Sequence, residues 1–385
     1  MINTKDIYII VELKITIGRG VCKKMPEARK LQRLGNTTLV VSIPKKWADR
    51  YRLKRGDMVY VDIDESGYLK VIPQDIRHEG STQNTYTIEI DQEINSNLIE
   101  RLITSCYILG YDRITIKVIK GKINGQILEG VRRTISEHTG VGILEQNEKS
   151  IILQCFIDVK RFPMNKLMKR IMDNVLSVID LLMRTVEEKN PTLLKDLKNI
   201  KTEIDRFFCL GIRQMVMSQI DWSVARAAEI ESTIHLLGNR AIFNSIKIIG
   251  NALNELSSLI AEIFIILESQ NTFYEKIKET LINLSDITKL VFEAFQRKSL
   301  LKANYALDRI LEFENKEVSF VRDLLSETCR DVDIASKVIV LNNRTMQIIK
   351  ELETICRVTI NRVIEENPES LIISKERSTI SQNSS

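Results

Sequence analysis

Chemistry-bearing motifs are scarce in this chain. Six cysteines occur in 385 residues (Cys22, Cys106, Cys155, Cys209, Cys329 and Cys356), and none stands in a CxxC spacing. That argues against zinc ribbons and a disulfide framework, and suits buried thiols in a reducing compartment. The three histidines, His78, His138 and His235, belong to no HExxH motif. No Gly-x-Ser-x-Gly elbow occurs and no cysteine lies in a nucleophile signature, so an enzyme is not expected. Six prolines and 6% aromatic residues point to a helix-rich chain. An uncharged run of bilayer-spanning length is also missing. Ile7 to Leu13 is interrupted by Glu12 and too short to span, and it lacks the basic start and small-residue cleavage site of a signal peptide. The expected location is cytoplasmic, without membrane insertion.

What is present suffices for two or three domains with a sizeable core, since 44% of residues are apolar. The net charge is only +5, but it is unevenly placed. Between Arg29 and Arg55, nine basic residues (Arg29, Lys30, Arg33, Lys45, Lys46, Arg50, Arg52, Lys54, Arg55) face one acid, Asp49, a local net of +8. Most charge runs are merely solvated faces. This one coincides with a compact, punctuated unit. Thr38 to Ile43 is a β-branched run with strand propensity, and Pro44 ends it while fitting a helix start. Lys45 to Tyr51 reads as a short helix and Lys54 to Asp57 as a turn with Gly56 at positive φ. Met58 to Asp64 and Tyr68 to Ile72 then flank Glu65-Ser66-Gly67 as a hairpin. Basic side chains on the loop, helix and turn of one unit form the footprint of phosphate-backbone contacts.

The same stretch resembles the AbrB/SpoVT swapped-hairpin DNA-binding domain. The resemblance is carried by Gly35 to Thr38, by Val41-Ser42-Ile43-Pro44-Lys45-Lys46, by Leu53-Lys54-Arg55-Gly56-Asp57 and by the hairpin to Ile72. It implies a domain in which two chains interlace, hence a homodimer or higher homo-oligomer, since so short a segment has little core of its own. It also implies that the basic residues, Arg29, Lys30, Arg33, Lys45, Lys46 and Arg50 above all, face DNA.

The rest of the chain divides by texture. Residues 1–24 read either as an extra strand or as an extension ahead of a natural start at Met25. Residues 25–75 form the basic domain, and Gln74 to Asn84 is a polar linker. Residues 85–160 alternate strands and helices, a small α/β sandwich for linkage or dimerisation. Its glycines (Gly121, Gly125, Gly140, Gly142) do not follow P-loop or dinucleotide-fingerprint spacing. Residues 162–366 read as helices throughout, with apolar stripes such as Leu167, Ile171, Val175, Val178, Ile179 and Leu182. A break is expected at Gly238-Asn239. Three helices over about 162–269 and three over 272–366 suggest an internal duplication. Residues 367–385 are polar and Ser/Thr-rich, a tail expected to be disordered. The expected fold is therefore multidomain: a swapped-hairpin β domain, a small α/β sandwich and an all-α pair of three-helix repeats.

The helical half resembles the PhoU family of regulators linked to phosphate uptake, through Glu203-Ile-Asp-Arg to Arg213-Gln214 and through Leu352-Glu-Thr-Ile-Cys-Arg to Asn361. Fusion of an AbrB-like head to a PhoU-like body also resembles the arrangement in archaeal relatives. In that family, carboxylates four apart on the last helices share a face and gather iron or other metal ions. Here Glu353 is followed by Arg357, and Lys247 and Asn251 replace both acids of the first repeat. Glu203, Asp205 and Glu353 remain as candidate ligands of a degenerate site. No cofactor is required, and a divalent or ferric metal is the ion such a site would take.

The reading is a dimeric DNA-binding transcriptional regulator of phosphate uptake with a helical sensor or adaptor body. Its partners would be DNA and a phosphate ABC transporter or sensor component. The alternatives are a PhoU-like adaptor without specific DNA binding and a DNA-architectural protein.

Overall fold

A computed structural model describes residues 29–35, 38–63, 69–73, 84–230, 232–267, 271–328 and 332–367. The expectations for the N-terminal extension, the Glu65-Ser66-Gly67 turn, the polar linker up to residue 83 and the tail from Pro368 lie outside the described residues, as do His78, Cys22 and Cys329. The chain divides into two compact units, Met1–His78 and Glu79–Ser385.

In the first unit β1 (Gln32–Leu34) pairs antiparallel with β2 (Thr38–Val40), Gln32 opposite Val40. Helix α1 (Lys45–Arg50) follows, then β3 (Val59–Ile63) pairs antiparallel with β4 (Leu69–Pro73), Ile63 opposite Leu69. β2 is shorter than its β-branched run suggested: it stops at Val40 instead of Ile43, since its ladder with β1 ends at the Gln32–Val40 pair and residues 29–31 do not extend it. Propensity sets where a strand can run; a partner sets where it ends.

The second unit begins with a βαβαββ layer: β5 (Thr85–Asp91), α2 (Ser96–Ile108), β6 (Arg113–Lys120), α3 (Gly125–Glu137), β7 (Val141–Gln146) and β8 (Ser150–Cys155). The sheet order is β5-β6-β8-β7, with β5 parallel to β6 and the other pairs antiparallel. Both helices start on asparagine caps. Asn95 Oδ1 accepts from the Asn97 N–H at 2.7 Å and Asn124 Oδ1 from the Ile127 N–H at 3.0 Å, relieving donors left unpaired at a helix start. Period-two alternation on β6 buries Ile114, Ile116 and Val118 toward Ile99, Ile103, Ile127 and Val131 and leaves Lys117 exposed. The helices approach so closely that a Cβ on Gly130 would lie 2.6 Å from the Ser96 carbonyl oxygen and 2.9 Å from Ile99 Cβ. Gly130→Ala is therefore expected to lower stability by about 1–2 kcal/mol, overpacking exceeding alanine's better helix propensity. Urea unfolding midpoints of the two proteins check this.

After a 3-10 turn (Val159–Arg161), the helical body runs α4 (Met164–Glu187), a second 3-10 segment (Pro191–Asp196), α5 (Leu197–Ile220), α6 (Trp222–Ala227), α7 (Thr233–Leu267), α8 (Asn271–Gln296), α9 (Leu300–Thr328) and α10 (Val332–Glu365). The six stripe residues of α4, Leu167, Ile171, Val175, Val178, Ile179 and Leu182, all lie in the core. Helices α4, α5 and α7 pack pairwise, as do α8, α9 and α10; α7 lies on α10 and α4 on α8. α5 also packs on α2 and α3, joining the sheet layer to the body. Asp221 caps α6, accepting from the Ser223 N–H at 2.8 Å.

The expected break at Gly238-Asn239 is corrected. α7 continues through both residues, and the chain breaks earlier, between Ala227 and Thr233, where Glu229 takes φ +59°. Gly238 sits inside α7 because α10 presses against it: an added Cβ would meet Val358 Cγ1 at 3.1 Å and Arg362 Nη2 at 3.2 Å. Asn239 accepts from Arg362 Nη2 at 2.9 Å. Among the described residues no helix is long and apolar enough to cross a membrane.

Candidate nucleic-acid interface

The basic residues of the first unit are placed by a chain of local hydrogen bonds. Pro44, at φ −58°, precedes α1, and its carbonyl accepts from the Trp47 and Ala48 N–H groups at 2.9 and 3.1 Å. Trp47 and Tyr51, one turn apart, bring their rings to 5.2 Å. The helix ends in a paired closure: the Leu53 N–H reaches the Ala48 carbonyl (3.0 Å) and the Arg52 N–H reaches that of Asp49 (3.2 Å). This is a Schellman ending with Arg52 in the left-handed position, φ +53°. The next turn closes from both sides. The Asp57 N–H donates to the Lys54 carbonyl at 3.1 Å, and Asp57 Oδ2 accepts from the Lys54 N–H at 2.7 Å. Gly56 between them takes φ +99°, a conformation open to glycine at little cost. The Leu53-x-x-Gly56-Asp57 spacing is thus a helix stop followed by a turn.

Around this frame Arg29, Lys30, Arg33, Lys45, Lys46, Arg52, Lys54 and Arg55 are all exposed. Arg50 occupies the last turn of α1, and its side chain lies outside the description. Lys30, Arg33, Lys45, Lys46, Arg52, Lys54 and Arg55 have no carboxylate partner among the described residues. Unpaired, solvated cations of this density can exchange counterions for phosphates. Among the unit's described side chains only that of Pro73 is buried. Leu34, Leu39, Met58 and Val61 are 66%, 63%, 65% and 59% exposed, so apolar surface stands uncovered on a single chain.

The three candidate metal ligands lie elsewhere, and each faces a cation. Glu203 accepts from Arg206 Nη1 at 2.8 Å. Asp205 pairs with Lys201 and, at 3.8 Å, with Lys247. Glu353 accepts from Arg357 Nη2 at 2.6 Å, with Lys350 at 3.6 Å, and the Arg357 hydrogen bond holds its carboxyl below the usual range. Glu203 and Asp205 share α5 while Glu353 is on α10. No three histidine, cysteine or acidic groups gather closely enough for a metal ion among the described residues.

The Glu203-to-Gln214 segment does something else, which the sequence reading passed over. Arg206 Nε donates to the Ser136 carbonyl of α3 at 2.8 Å. Arg213, 1% exposed, donates through Nη1 to the Tyr107 and Tyr111 carbonyls (2.6 and 3.0 Å) and through Nη2 to Asp112 Oδ1 (2.8 Å). Its guanidinium also lies 5.1 Å from the Tyr107 ring centroid. Gln214 Nε2 donates to the Val159 carbonyl at 2.9 Å and to that of Phe162. Arg213 and Gln214 thus fasten the helical body to the sheet layer. An arginine and a glutamine, Arg213-Gln214, inside the otherwise apolar run Phe207 to Met215 were the available signal, because a buried guanidinium needs several acceptors. Burial pushes the Cys106, Cys155 and Cys209 thiols up to about 11 and that of Cys356, on α10, to about 12, and all four are unbridged.

No curated protein matches the chain. Residues 32–77 match the family described as antidote-toxin recognition MazE, bacterial antitoxin, and the N-terminal unit of this chain therefore carries a MazE/AbrB-like domain.

Proposed function

We propose that the protein is a DNA-binding transcriptional regulator that works as a homodimer or higher homo-oligomer in the cytoplasm. The observation that carries this reading is the set of exposed, unpaired cations on a MazE/AbrB-like domain. These side chains would hold phosphates and orient the domain on the duplex. Self-association follows from the exposed Leu34, Leu39, Met58 and Val61, which a second copy of the domain would cover. The helical body would be a PhoU-like pair of three-helix repeats, a reading supported by the two pairwise-packed triplets α4-α5-α7 and α8-α9-α10. In that role it would act as a sensor or adaptor in phosphate homeostasis, with a phosphate transporter or sensor component as its protein partner. The reading assigns no catalysis and no required cofactor.

The test is binding to genomic fragments, among them the protein's own promoter and those of phosphate-transport genes. The comparison is the triple variant Lys45→Ala, Lys46→Ala, Arg50→Ala, checked for fold by circular dichroism and for assembly by sedimentation. Selective binding by wild type, weakened about a hundredfold or more in the variant, is expected from the loss of three phosphate contacts per domain. Equal binding of every fragment would indicate an architectural protein. No binding by well-folded wild type would overturn the reading and leave the adaptor.

A further inference from the structure

One end of the helical body contains a cavity of about 450 Å³, a size typical of small-molecule sites. It lies where the first turns of α4 and α7 meet the last turns of α8 and α10. Its floor is apolar and soft. Met164, Met168 and Met172 follow one another at four-residue intervals along α4, all buried, with Phe295 and Ile230 beside them. Thioether side chains adapt to alkyl or ring shapes without a fixed outline of their own.

The rim is cationic. Lys166 and Lys169 stand exposed at the edge of the cavity, with no carboxylate partner among the described residues. Deeper in, Arg362 donates to Asn239 Oδ1 at 2.9 Å and to the His235 carbonyl at 3.2 Å and pairs through Nε with Glu365 at 3.4 Å, so it is anchored and its charge is offset. Lys298 binds Glu366 at 2.5 Å, and Asn165 donates to Glu229 Oε2 at 2.9 Å. With Glu365 beside Arg362 included, four cations (Lys166, Lys169, Lys298, Arg362) against three carboxylates (Glu229, Glu365, Glu366) leave the site net positive, and the uncompensated cations are Lys166 and Lys169. An apolar floor beneath uncompensated lysines discriminates in two ways. A small inorganic anion leaves the methionines uncovered, and a neutral apolar molecule leaves the lysines unmatched.

We infer that this cavity binds an amphipathic carboxylate, its apolar chain or ring on the α4 methionines and its carboxylate at Lys166 and Lys169. The inference is independent of DNA binding by the first unit, and its test does not involve DNA.

The experiment uses the full chain labelled with ¹³C at the methionine methyl groups and titrates it with decanoate, decanol or inorganic phosphate. Decanoate is kept below its micelle concentration, and signals are assigned by single Met→Leu changes. Decanoate is expected to shift the Met164, Met168 and Met172 signals saturably, among the ten methionines of the chain, with decanol about tenfold weaker and phosphate without effect on them. Lys166→Ala with Lys169→Ala, both at exposed positions, is expected to weaken decanoate about tenfold and leave decanol unchanged. Absence of these shifts in folded protein would overturn the inference. So would equal affinity for decanol and decanoate, a phosphate-induced shift of the same size, or an unaltered decanoate affinity in the double variant.

Discussion

Replacing Arg213 with methionine is expected to destabilise the protein by about 3 kcal/mol, close to the cost of breaking a buried ion pair from one side. The methionine fills similar space, so the loss is electrostatic more than steric. It strands the Tyr107 and Tyr111 carbonyls, whose donor at 2.6 and 3.0 Å is gone, and each unsatisfied buried acceptor costs about 1–3 kcal/mol. Asp112 is 40% exposed, so water can take over its solvation, which keeps the total below the upper end of the range. Arg213→Lys is expected to recover little, because an ammonium cannot reproduce a planar fork reaching three acceptors. Asp112→Asn removes only the countercharge and is expected to cost about 1–2 kcal/mol, and the double change less than the sum of the two. Urea unfolding of the four proteins measures the cycle, and hydrogen exchange at the end of α2 reports whether the joint itself has loosened. A loss below 1 kcal/mol in Arg213→Met would contradict the role assigned to this joint.

Glu317 governs the second expectation, a fall in stability between about pH 4.5 and pH 7. Its side chain on α9 is 4% exposed and one carboxylate oxygen, Oε1, has no hydrogen-bond partner. Burial, with Glu279 of α8 adding repulsion, pushes its pKa up to about 7. A carboxyl raised in the folded state keeps its proton when the unfolded chain has already lost it. Across that window the native state therefore binds more protons than the unfolded state, and stability falls as pH rises. The contribution is intact below the unfolded pKa and lost above the folded one, a swing of about 3 kcal/mol. Glu317→Gln removes the titration while keeping the shape. The variant is expected to match wild type near pH 4 and to exceed it by about 2–3 kcal/mol at pH 8. Denaturation midpoints at those two pH values decide it. A difference that does not change with pH would show that Glu317 ionises as an ordinary surface carboxylate.

Much of the architecture was legible because it follows local rules. The four-residue and three-residue recurrence of α4 names its buried face without any knowledge of its neighbours, and Asp221 announces α6 as a cap. The turn at Gly56-Asp57 was readable for the same reason. Contacts between distant segments were not. Gly238-Asn239 looks like a helix breaker, yet it lies inside α7 because Val358 and Arg362 of α10 need the space and the amide. β2 looks as long as its β-branched run, yet its partner strand ends first. Arg213 is visible in the sequence, but its acceptors lie about a hundred residues earlier, and no spacing rule connects them.

The candidate interface was legible as a density of charge, since nine cations against one acid within a single small unit need no structure to be counted. The structure adds that seven of them carry no carboxylate partner among the described residues. The candidate metal ligands were legible as carboxylates on helices, with Arg357 already visible four residues after Glu353; the Lys201–Asp205 and Arg206–Glu203 pairings are equally local, and the approach of Lys247 to Asp205 comes from the packing of α7 on α5. The methionine-floored cavity was not legible at all, because α4, α7, α8 and α10 contribute its walls from positions far apart in sequence.

The most direct measurement is the salt dependence of DNA affinity for the full chain and for the Lys45→Ala, Lys46→Ala, Arg50→Ala variant. A plot of log affinity against log salt has a slope of about −0.9 for each phosphate neutralised. The proposed interface is expected to give wild type a steep slope, about −5 or steeper for a dimer, and to make the variant's slope shallower by about 5, since three contacts are lost from each of two domains. A slope near zero, or a steep slope that the three substitutions leave unchanged, would contradict the assignment of DNA binding to this domain.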